Sequence, residues 1–356
     1  MKKTLIALAV LGAAAGVAHA QSNVTIYGIV DTGFIKESGK DISMGENVNN
    51  RIGFRGVEDL GSGQAATFEL EKRFNLNDGT LKGYKGLSTK NERTDWDGAA
   101  NVGLKGNNWG AVRLGRVNEL PTESIRKFDP FYQYGVAGMI DSTQRSARIS
   151  NTVRYDSLNW SGFRFGASYS LGGNVNTDSA TADWKNVKAE GADNDGYAIS
   201  LGYDNGPLSL AGNWSRLADS KKSSLWNLGA GYKFGPAKVS LAYQYTKDKG
   251  WYLGDESDNC ASKQQQWLVG LEWTLGPGRL NASVQYDKVK DVAAWSGDSK
   301  KLWKYALGYT YNLSKRTSLY GNVAYTNYDD DAMGEFFGAE NRDSVTGVQV
   351  GITHKF

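Results

Sequence analysis

Apolar and polar residues alternate with a period of two along most of the chain, the pattern of β-strands that have one apolar and one polar face. The stretch from Val24 to Lys36 is an example, with Ile26 and Val30 on one face and Tyr27 and Asp31 on the other. Asp31 is therefore predicted to face inward if the strands enclose a lumen. Stretches of this kind number sixteen, and seven short turns alternate strictly with eight longer polar loops between them.

This alternation of short and long connections is typical of bacterial outer-membrane barrels, which have short periplasmic turns and long external loops. We therefore predict an all-β fold, a 16-stranded antiparallel transmembrane β-barrel with both termini on the periplasmic side. A soluble stack of β-sandwiches would also alternate. Large aromatic residues favour the barrel, because they lie on the apolar faces near strand ends, where membrane–water interfaces collect them. These residues are Trp226, Trp267, Trp273, Trp303, Tyr305, Tyr311 and Phe356.

The amino-terminal 20 residues have the features of a secretory signal peptide. Lys2 and Lys3 precede an apolar run from Leu5 to Val17, and a small-residue site ends at Ala20. The apolar run is shorter than the ~20 residues that a membrane helix needs, so cleavage before Gln21 is favoured over a membrane anchor. Residues 21–356 are then predicted to form one outer-membrane barrel.

Residues 117–149 interrupt the strand pattern. A segment of this length without strands of its own is uncommon in a compact fold and is usually functional. We predict that it is the third external loop and that it folds inward to constrict the lumen. Its aromatic residues would pack the segment against the wall, a role favoured over sugar stacking; they are Phe128, Phe131, Tyr132 and Tyr134. Its candidate pore acids are Glu119, Glu123, Asp129 and Asp141.

Basic residues on the inward parity of several strands are candidates for the facing wall of the pore. Charged side chains around an aqueous constriction bias which ions pass. The set chosen from the alternation is Arg51, Arg55, Lys105, Arg113 and Arg154, with Arg164 in reserve. The alternative for any single charge is a solvated or salt-bridged structural role. Acidic residues on the inward parity would offset the positive charge of this wall. They are Asp31, Glu69, Glu71 and Asp287. The arginine cluster favours a weak anion preference.

Several segments resemble the general diffusion porins of β-proteobacteria, the Neisseria and Burkholderia type. They read VTIYGIVDTG, RIGFRGVEDLGSGQAATFELE, NVGLKGNNWGAVRLGRV, NTVRYDS and GVQVGITHKF, in that order along the chain. The resemblance implies a trimeric porin with an inward third loop and a terminal aromatic recognised by the barrel-assembly machinery. The family's basic pore wall resembles Arg55, Arg116 and Arg154. Arg116 shares the parity of Val112 and Leu114, so its inward placement would need a bulge or the start of the loop.

Composition excludes several other classes of function. The formal net charge is +3 and the basic residues are spread along the chain, which argues against a nucleic-acid partner. Cys260 is the only cysteine, so no intramolecular disulfide can form. His354 is the only histidine left after signal cleavage, which argues against an outer-membrane hydrolase that needs a histidine base. We therefore expect no enzyme activity.

We expect no metal site and no cofactor. Carboxylate-only calcium sites in the loops at Asp329 to Asp331 and Asp255 to Asp258 are an alternative that we do not predict. The predicted partners are small hydrophilic solutes and ions, outer-membrane lipid and lipopolysaccharide. The competing function is an adhesin or binding platform that acts through the external loops.

Overall fold

The computed structural model describes residues 23–81, 96–140, 148–171, 195–217, 223–249, 261–292, 295, 298–339 and 341–356. These residues form one antiparallel sheet and two short helices, α1 (Leu120–Arg126) and α2 (Asp331–Phe336). The strands are β1 (Asn23–Glu37), β2 (Ser43–Gly45), β3 (Arg51–Gly61), β4 (Gln64–Arg73), β5 (Ala99–Gly106), β6 (Gly110–Asn118), β7 (Arg148–Asp156), β8 (Phe163–Ser170), β9 (Gly196–Asn205), β10 (Leu208–Arg216), β11 (Ser224–Phe234), β12 (Ala237–Lys249), β13 (Ala261–Leu275), β14 (Gly278–Lys290), β15 (Lys300–Asn312), β16 (Thr317–Tyr328) and β17 (Ser344–Lys355).

The sheet closes on itself. Strands from β3 onward pair with their neighbours in sequence, and β1 pairs with β17 from Ile29↔Lys355 to Glu37↔Gly347. The amino-terminal half of β1 pairs with β3 instead, from Asn23↔Val57 to Ile29↔Arg51. In the described part of the chain every strand except the short β2 pairs on both sides. A barrel in a membrane requires such closure because lipid cannot satisfy backbone hydrogen bonds. The predicted antiparallel barrel is confirmed.

Seventeen strands occupy sixteen barrel positions. The short strand β2 pairs with the carboxy-terminal half of β1, for example at Gly33↔Gly45. It lies on the same side of β1 as β3, which pairs with the amino-terminal half. Residues 46–50 interrupt this shared position. Asp31 stabilises residues 46–50. Its carboxylate accepts the N–H of Asn47 at 2.6 Å, and its backbone N–H donates to Asn50 Oδ1 at 2.5 Å. Asp31 also accepts from the Tyr320 hydroxyl at 2.9 Å, which confirms its predicted inward direction.

The two faces of the wall differ in polarity as the alternation predicts. On β17 the side chains of Val348, Val350 and Ile352 are exposed on the outer surface, whereas Gln349 and Thr353, on the opposite parity, are buried. This outer apolar surface is what a hydrocarbon environment requires of a barrel. In the described ranges, neither helix is long and apolar enough to cross a membrane.

Hairpin turns lie at one end of the barrel, where glycine supplies a positive φ. Gly206, Gly235 and Gly276 have φ of 56°, 56° and 59°. Such values fit the two-residue turns that match the twist of antiparallel strands. The opposite end carries the longer connections.

Strand ends depart from the predicted bounds on the side of the long connections. β13 begins at Ala261, five residues before the predicted start at Gln266, and β12 continues to Lys249. The sequence did not reveal these extensions, because Lys263 and Gln265 replace apolar residues on the outer face there. The predicted signal peptide, residues 1–20, and the candidate calcium acids Asp255 to Asp258 lie outside the described residues.

Candidate channel constriction

The segment between β6 and β7 begins with α1, which the sequence specifies locally. Glu119 is the N-cap residue, and its carboxylate accepts the N–H of Thr122 at 2.7 Å. Pro121 occupies the first turn, where a missing N–H costs nothing. Leu120 and Ile125 are buried against the inner faces of β8 to β11. Burial raises the pKa of Glu119, and its hydrogen bonds at the helix start oppose that shift.

A single carboxylate organises the turn that follows the helix. Asp129 accepts the N–H groups of Phe131 at 3.0 Å, Gln133 at 2.7 Å and Met139 at 2.8 Å. Tyr132 and Gln133 in this turn have φ of 55° and 62°, a conformation that non-glycine residues adopt only when other contacts hold it. Burial raises the pKa of Asp129, whereas the three N–H donors favour the charged form.

The aromatic residues of the segment pack on small residues of the inner wall. A Cβ atom at Gly229 of β11 would lie 2.2 Å from the Phe128 ring, and one at Gly308 of β15 would lie 2.9 Å from the Phe131 ring. Phe128 is fully buried, in a cluster that includes Ala211 and other wall residues. These contacts support the packing role over sugar stacking for Phe128 and Phe131.

Polar side chains of the wall bind the backbone of the segment. Among the described residues, seven hydrogen bonds join a wall side chain to a backbone group of residues 121–140. They are Asn227 to the Pro121 carbonyl at 3.3 Å, Lys238 to the Lys127 carbonyl at 2.8 Å, Ser240 to the Phe128 carbonyl at 2.6 Å, Gln266 to the Ile140 carbonyl at 2.8 Å, Lys304 to the Gly138 carbonyl at 2.6 Å, the Val136 N–H to Gln349 at 3.3 Å, and the Ile140 N–H to Gln285 at 2.9 Å. Because buried backbone groups need partners, these bonds allow irregular backbone to lie inside the barrel.

Two of these wall side chains, Asn227 and Gln266, belong to a row of side chains that are joined across strands. Asn213 donates to Asn227 at 2.6 Å, Asn227 to Gln244 at 3.0 Å, Gln244 to Gln266 at 2.8 Å, and Gln266 to Asp287 at 3.0 Å. We call this row from β10 to β14 the amide belt. Each member fixes the orientation of the next, so the belt is a preorganised receptor for the segment.

The predicted basic residues lie on strands β3 to β7, away from the amide belt. Arg51 is 3.7 Å from Glu71 and donates to the Tyr134 hydroxyl at 3.4 Å. Arg55 lies over the Tyr27 ring, 5.3 Å from its centre. Lys105 is exposed on the inward parity of β5, between Leu104 and Gly106.

Two further arginines of the predicted set are held by carboxylates. Arg113 is 2.5 Å from Asp156. Arg154 is buried, 2.5 Å from Glu123 of α1 and 2.7 Å from Asp156. The pair Arg154–Glu123 joins the wall to the inserted segment. Arg164, held in reserve, pairs with Asp204 near the hairpin-turn end of the barrel.

Arg116 sits at the irregularity that its inward placement was expected to need. The β6–β7 register shifts between Gly115 and Val117, and Gly115 has a φ of 124°. Arg116 donates to the Asp97 carbonyl at 3.0 Å and to the Ser150 hydroxyl at 2.9 Å. Its guanidinium therefore stabilises the bulge through hydrogen bonds to the residue that precedes β5 by two positions and to a residue of β7.

Two of the predicted pore acids have a different role. The expectation that Glu119 and Asp129 face the open lumen is wrong, because they are only 3% and 1% exposed and their carboxylates bond backbone N–H groups of the segment itself. Glu123 is exposed, with 43% of its side chain accessible. Asp141 lies outside the described residues.

Sequence reasoning missed a cluster around Glu71. Arg73 is 3.2 Å and Arg148 3.6 Å from this carboxylate, which Arg51 also approaches. Arg73 shares the inward parity of Glu71 on β4, a signal that would have found it. Arg148 gave no such signal, because it precedes the predicted start of its strand at Ser150.

Lys127, directly after α1, was also missed. Its ammonium group is 3.3 Å from Asp204, near Arg164 and Lys238. Burial, and then repulsion from these two cations, lowers the pKa of Lys127 to about 8.

The sequence matches the Gram-negative porin family over residues 7–331. The chain belongs to that family. An outer membrane porin protein of Bordetella pertussis is 33% identical to this porin, in an alignment that covers 100% of both chains. The structure of an anion-selective porin from Comamonas acidovorans superimposes with a TM-score of 0.73 at 29% identity, covering 94% of this chain and 100% of that one. OmpT of Vibrio cholerae in its trimer form shares the fold, with a TM-score of 0.66 at 15% identity, covering 94% and 99% of the two chains.

These relatives are channels of the outer membrane rather than enzymes. This porin is accordingly an outer-membrane channel for the passive diffusion of small hydrophilic solutes, and its closed barrel has the sixteen positions that leave an aqueous lumen.

Asp129→Ala should loosen the turn between Phe131 and Met139. Hydrogen bonds to a charged group contribute about 1.5–3 kcal/mol each, and 1.4 kcal/mol is a factor of ten, so amide exchange there should accelerate at least about tenfold. Hydrogen–deuterium exchange with peptide-level mass spectrometry measures this. Glu123→Ala is the matched control, because Glu123 carries the same charge on the same segment and pairs with a side chain. Unchanged protection in Asp129→Ala would contradict the assigned role.

Proposed function

We propose that this porin is a weakly anion-preferring channel whose narrowest part lies between residues 117–149 and the basic wall of β3 to β7. The segment occupies the amide-belt side of the lumen through the contacts of Phe128, Gln266 and Lys304. The remaining passage is then bordered by Arg51, Arg55, Lys105 and Arg113 on the wall and by Glu123 on the segment.

One observation carries the anion preference. Among the described residues, Arg55 and Lys105 are the predicted wall cations without an ion pair, whereas Arg51, Arg113 and Arg154 have carboxylate partners. An unpaired cation contributes a full positive charge to the field across a narrow aqueous gap. The anion-selective porin from Comamonas acidovorans, at 29% identity, supports the same sign.

The double substitution Arg55→Gln and Lys105→Gln should lower the anion-to-cation permeability ratio by about twofold or more, because it removes the unpaired charges that set the field. The reversal potential of the purified protein in a planar bilayer under a potassium chloride gradient measures this ratio. Lys315→Gln, in an exposed hairpin turn, is the control for loss of a lysine elsewhere. An unchanged ratio in the double variant would remove these two residues from the selectivity filter, and absence of channels would favour the binding-platform function.

The anion preference should also fall as pH rises through about 8. Lys127 has a lowered pKa, so its ammonium is charged below this pH and neutral above it, leaving Asp204 less compensated. The reversal potential measured from pH 6.5 to 9.5 should therefore shift toward cations with a midpoint near 8. Lys127→Arg should abolish the shift and retain the preference, because arginine stays charged throughout this range. The same shift in Lys127→Arg would assign the titration to another group.

We further propose a homotrimer that is inserted by the barrel-assembly machinery through the terminal aromatic Phe356. The trimer form of the Vibrio cholerae relative supports the assembly. Unheated outer-membrane samples should show a trimer band in a detergent gel, and Phe356→Ala should reduce its amount. Phe34→Ala, another exposed aromatic on the outer face of the barrel, should not. A monomer band alone would contradict the trimer, and equal amounts in both variants would contradict the role of Phe356.

A further inference from the structure

Five lysines crowd the outer surface of four neighbouring strands, at the end of the barrel that carries the long connections. Lys247 of β12 lies directly opposite Lys263 of β13, and Lys263 lies opposite Lys290 of β14. Lys288 of β14 lies opposite Lys301 of β15. We call these five residues the lysine face.

The lysine face points away from the lumen. The residues that flank it along the strands are Thr246, Gln264, Val289 and Leu302, and all four are buried on the inner side of the wall. Because neighbouring residues of a strand alternate between its faces, the lysines project outward. A solute that crosses the channel does not meet them, so the group that they bind must come from outside the barrel.

Aromatic residues on the same outer face mark the depth of the lysines. Tyr245, Tyr286 and Trp303 each lie two positions from a lysine of the face, on the side toward the barrel centre. The ring centres of Tyr286 and Trp303 are 4.9 Å apart, and those of Tyr243 and Trp267 are 4.2 Å apart. Tyrosine and tryptophan concentrate at the level of lipid headgroups. The lysines therefore lie at or just above the headgroups of the external leaflet.

The positive charges exceed the carboxylates beside them. Among the described residues these are Asp291, which pairs with Lys263 and is also close to Lys247 and Lys290, and Asp329, which accepts the backbone N–H of Lys301 at 3.2 Å. Like charges directly opposite each other on a sheet are destabilising. A bound anion of more than one charge would relieve this repulsion.

We propose that the lysine face is a binding site for the phosphate groups of the outer-leaflet glycolipid, lipopolysaccharide. Phosphate on a membrane lipid is the anion that reaches an outward surface at headgroup depth, and lysine ammonium groups bind it as point charges. Clusters of lysine next to a membrane recognise anionic headgroups, with about 1 kcal/mol for each basic residue. The acyl chains of the same lipid would lie against the apolar wall below the aromatic layer.

The triple substitution Lys247→Gln, Lys263→Gln and Lys290→Gln tests the site on the folded protein in detergent. Native mass spectrometry with added bis-phosphorylated lipid A should show an affinity at least about tenfold weaker than that of the unsubstituted protein, since three such contacts are lost. Dephosphorylated lipid A should bind the unsubstituted protein as weakly as the phosphorylated form binds the triple variant. Channel conductance and folding should not change, because the three residues lie outside the lumen.

The matched control is Lys233→Gln, Lys315→Gln and Lys355→Gln, which removes the same charge from exposed positions at the opposite end of the barrel. It should retain the affinity for phosphorylated lipid A. Equal affinity in the two triple variants, or equal binding of the two lipid A forms, would overturn the proposal. If inorganic phosphate alone competes at concentrations comparable to those of lipid A, the face is a site for free anions and the assignment to a lipid is wrong.

Discussion

A backbone without regular structure can lie inside a barrel only if its N–H and C=O groups find partners, and this constraint explains the arrangement of the inner wall. The wall supplies side chains where the segment between β6 and β7 has no strand to pair with. Gln266 and Lys304 bond its carbonyl groups, and Gln349 accepts an N–H group. Asp129 satisfies three more N–H groups within the segment. Loss of these partners would leave polar groups buried without compensation.

The same constraint divides the lumen into two halves with different chemistry. From β10 to β15 the inner face carries mainly glycines and amide side chains, with Gly229 and Gly308 leaving room for aromatic rings and the amide belt fixing the backbone. Its charged groups bond neighbouring side chains or the segment, as Asp287 and Lys304 do. From β3 to β7 the inner face is rich in arginine, and few of its side chains contact the segment. The Arg154–Glu123 pair is the junction between the halves. Selectivity can therefore change on one side without disturbing the packing that positions the segment on the other.

Much of this architecture was predictable from alternation, since period-2 patterning with alternating short and long connections leads to the barrel and to the inward direction of Asp31. The path of the segment between β6 and β7 along the inner wall could not be predicted in this way. Its receptor is spread over strands β8 to β17, and no local pattern marks Gly229 or Gln266 as its partners. The sequence also could not distinguish a capping carboxylate from a pore-lining one, which is why Glu119 and Asp129 were misassigned. The placement of Arg116 depends on a register shift between β6 and β7, which alternation alone cannot locate.

We propose that the segment held by the amide belt sets the width of the channel. The most direct test is the single-channel conductance of a variant in which residues 124–142 are replaced by a short glycine–serine linker, measured in a planar bilayer beside the unsubstituted protein. The variant must first show the heat-dependent gel migration of a folded barrel. A clearly larger conductance, with passage of larger uncharged solutes, is the predicted result. An unchanged conductance in the folded variant would contradict the account and would place the constriction elsewhere in the barrel.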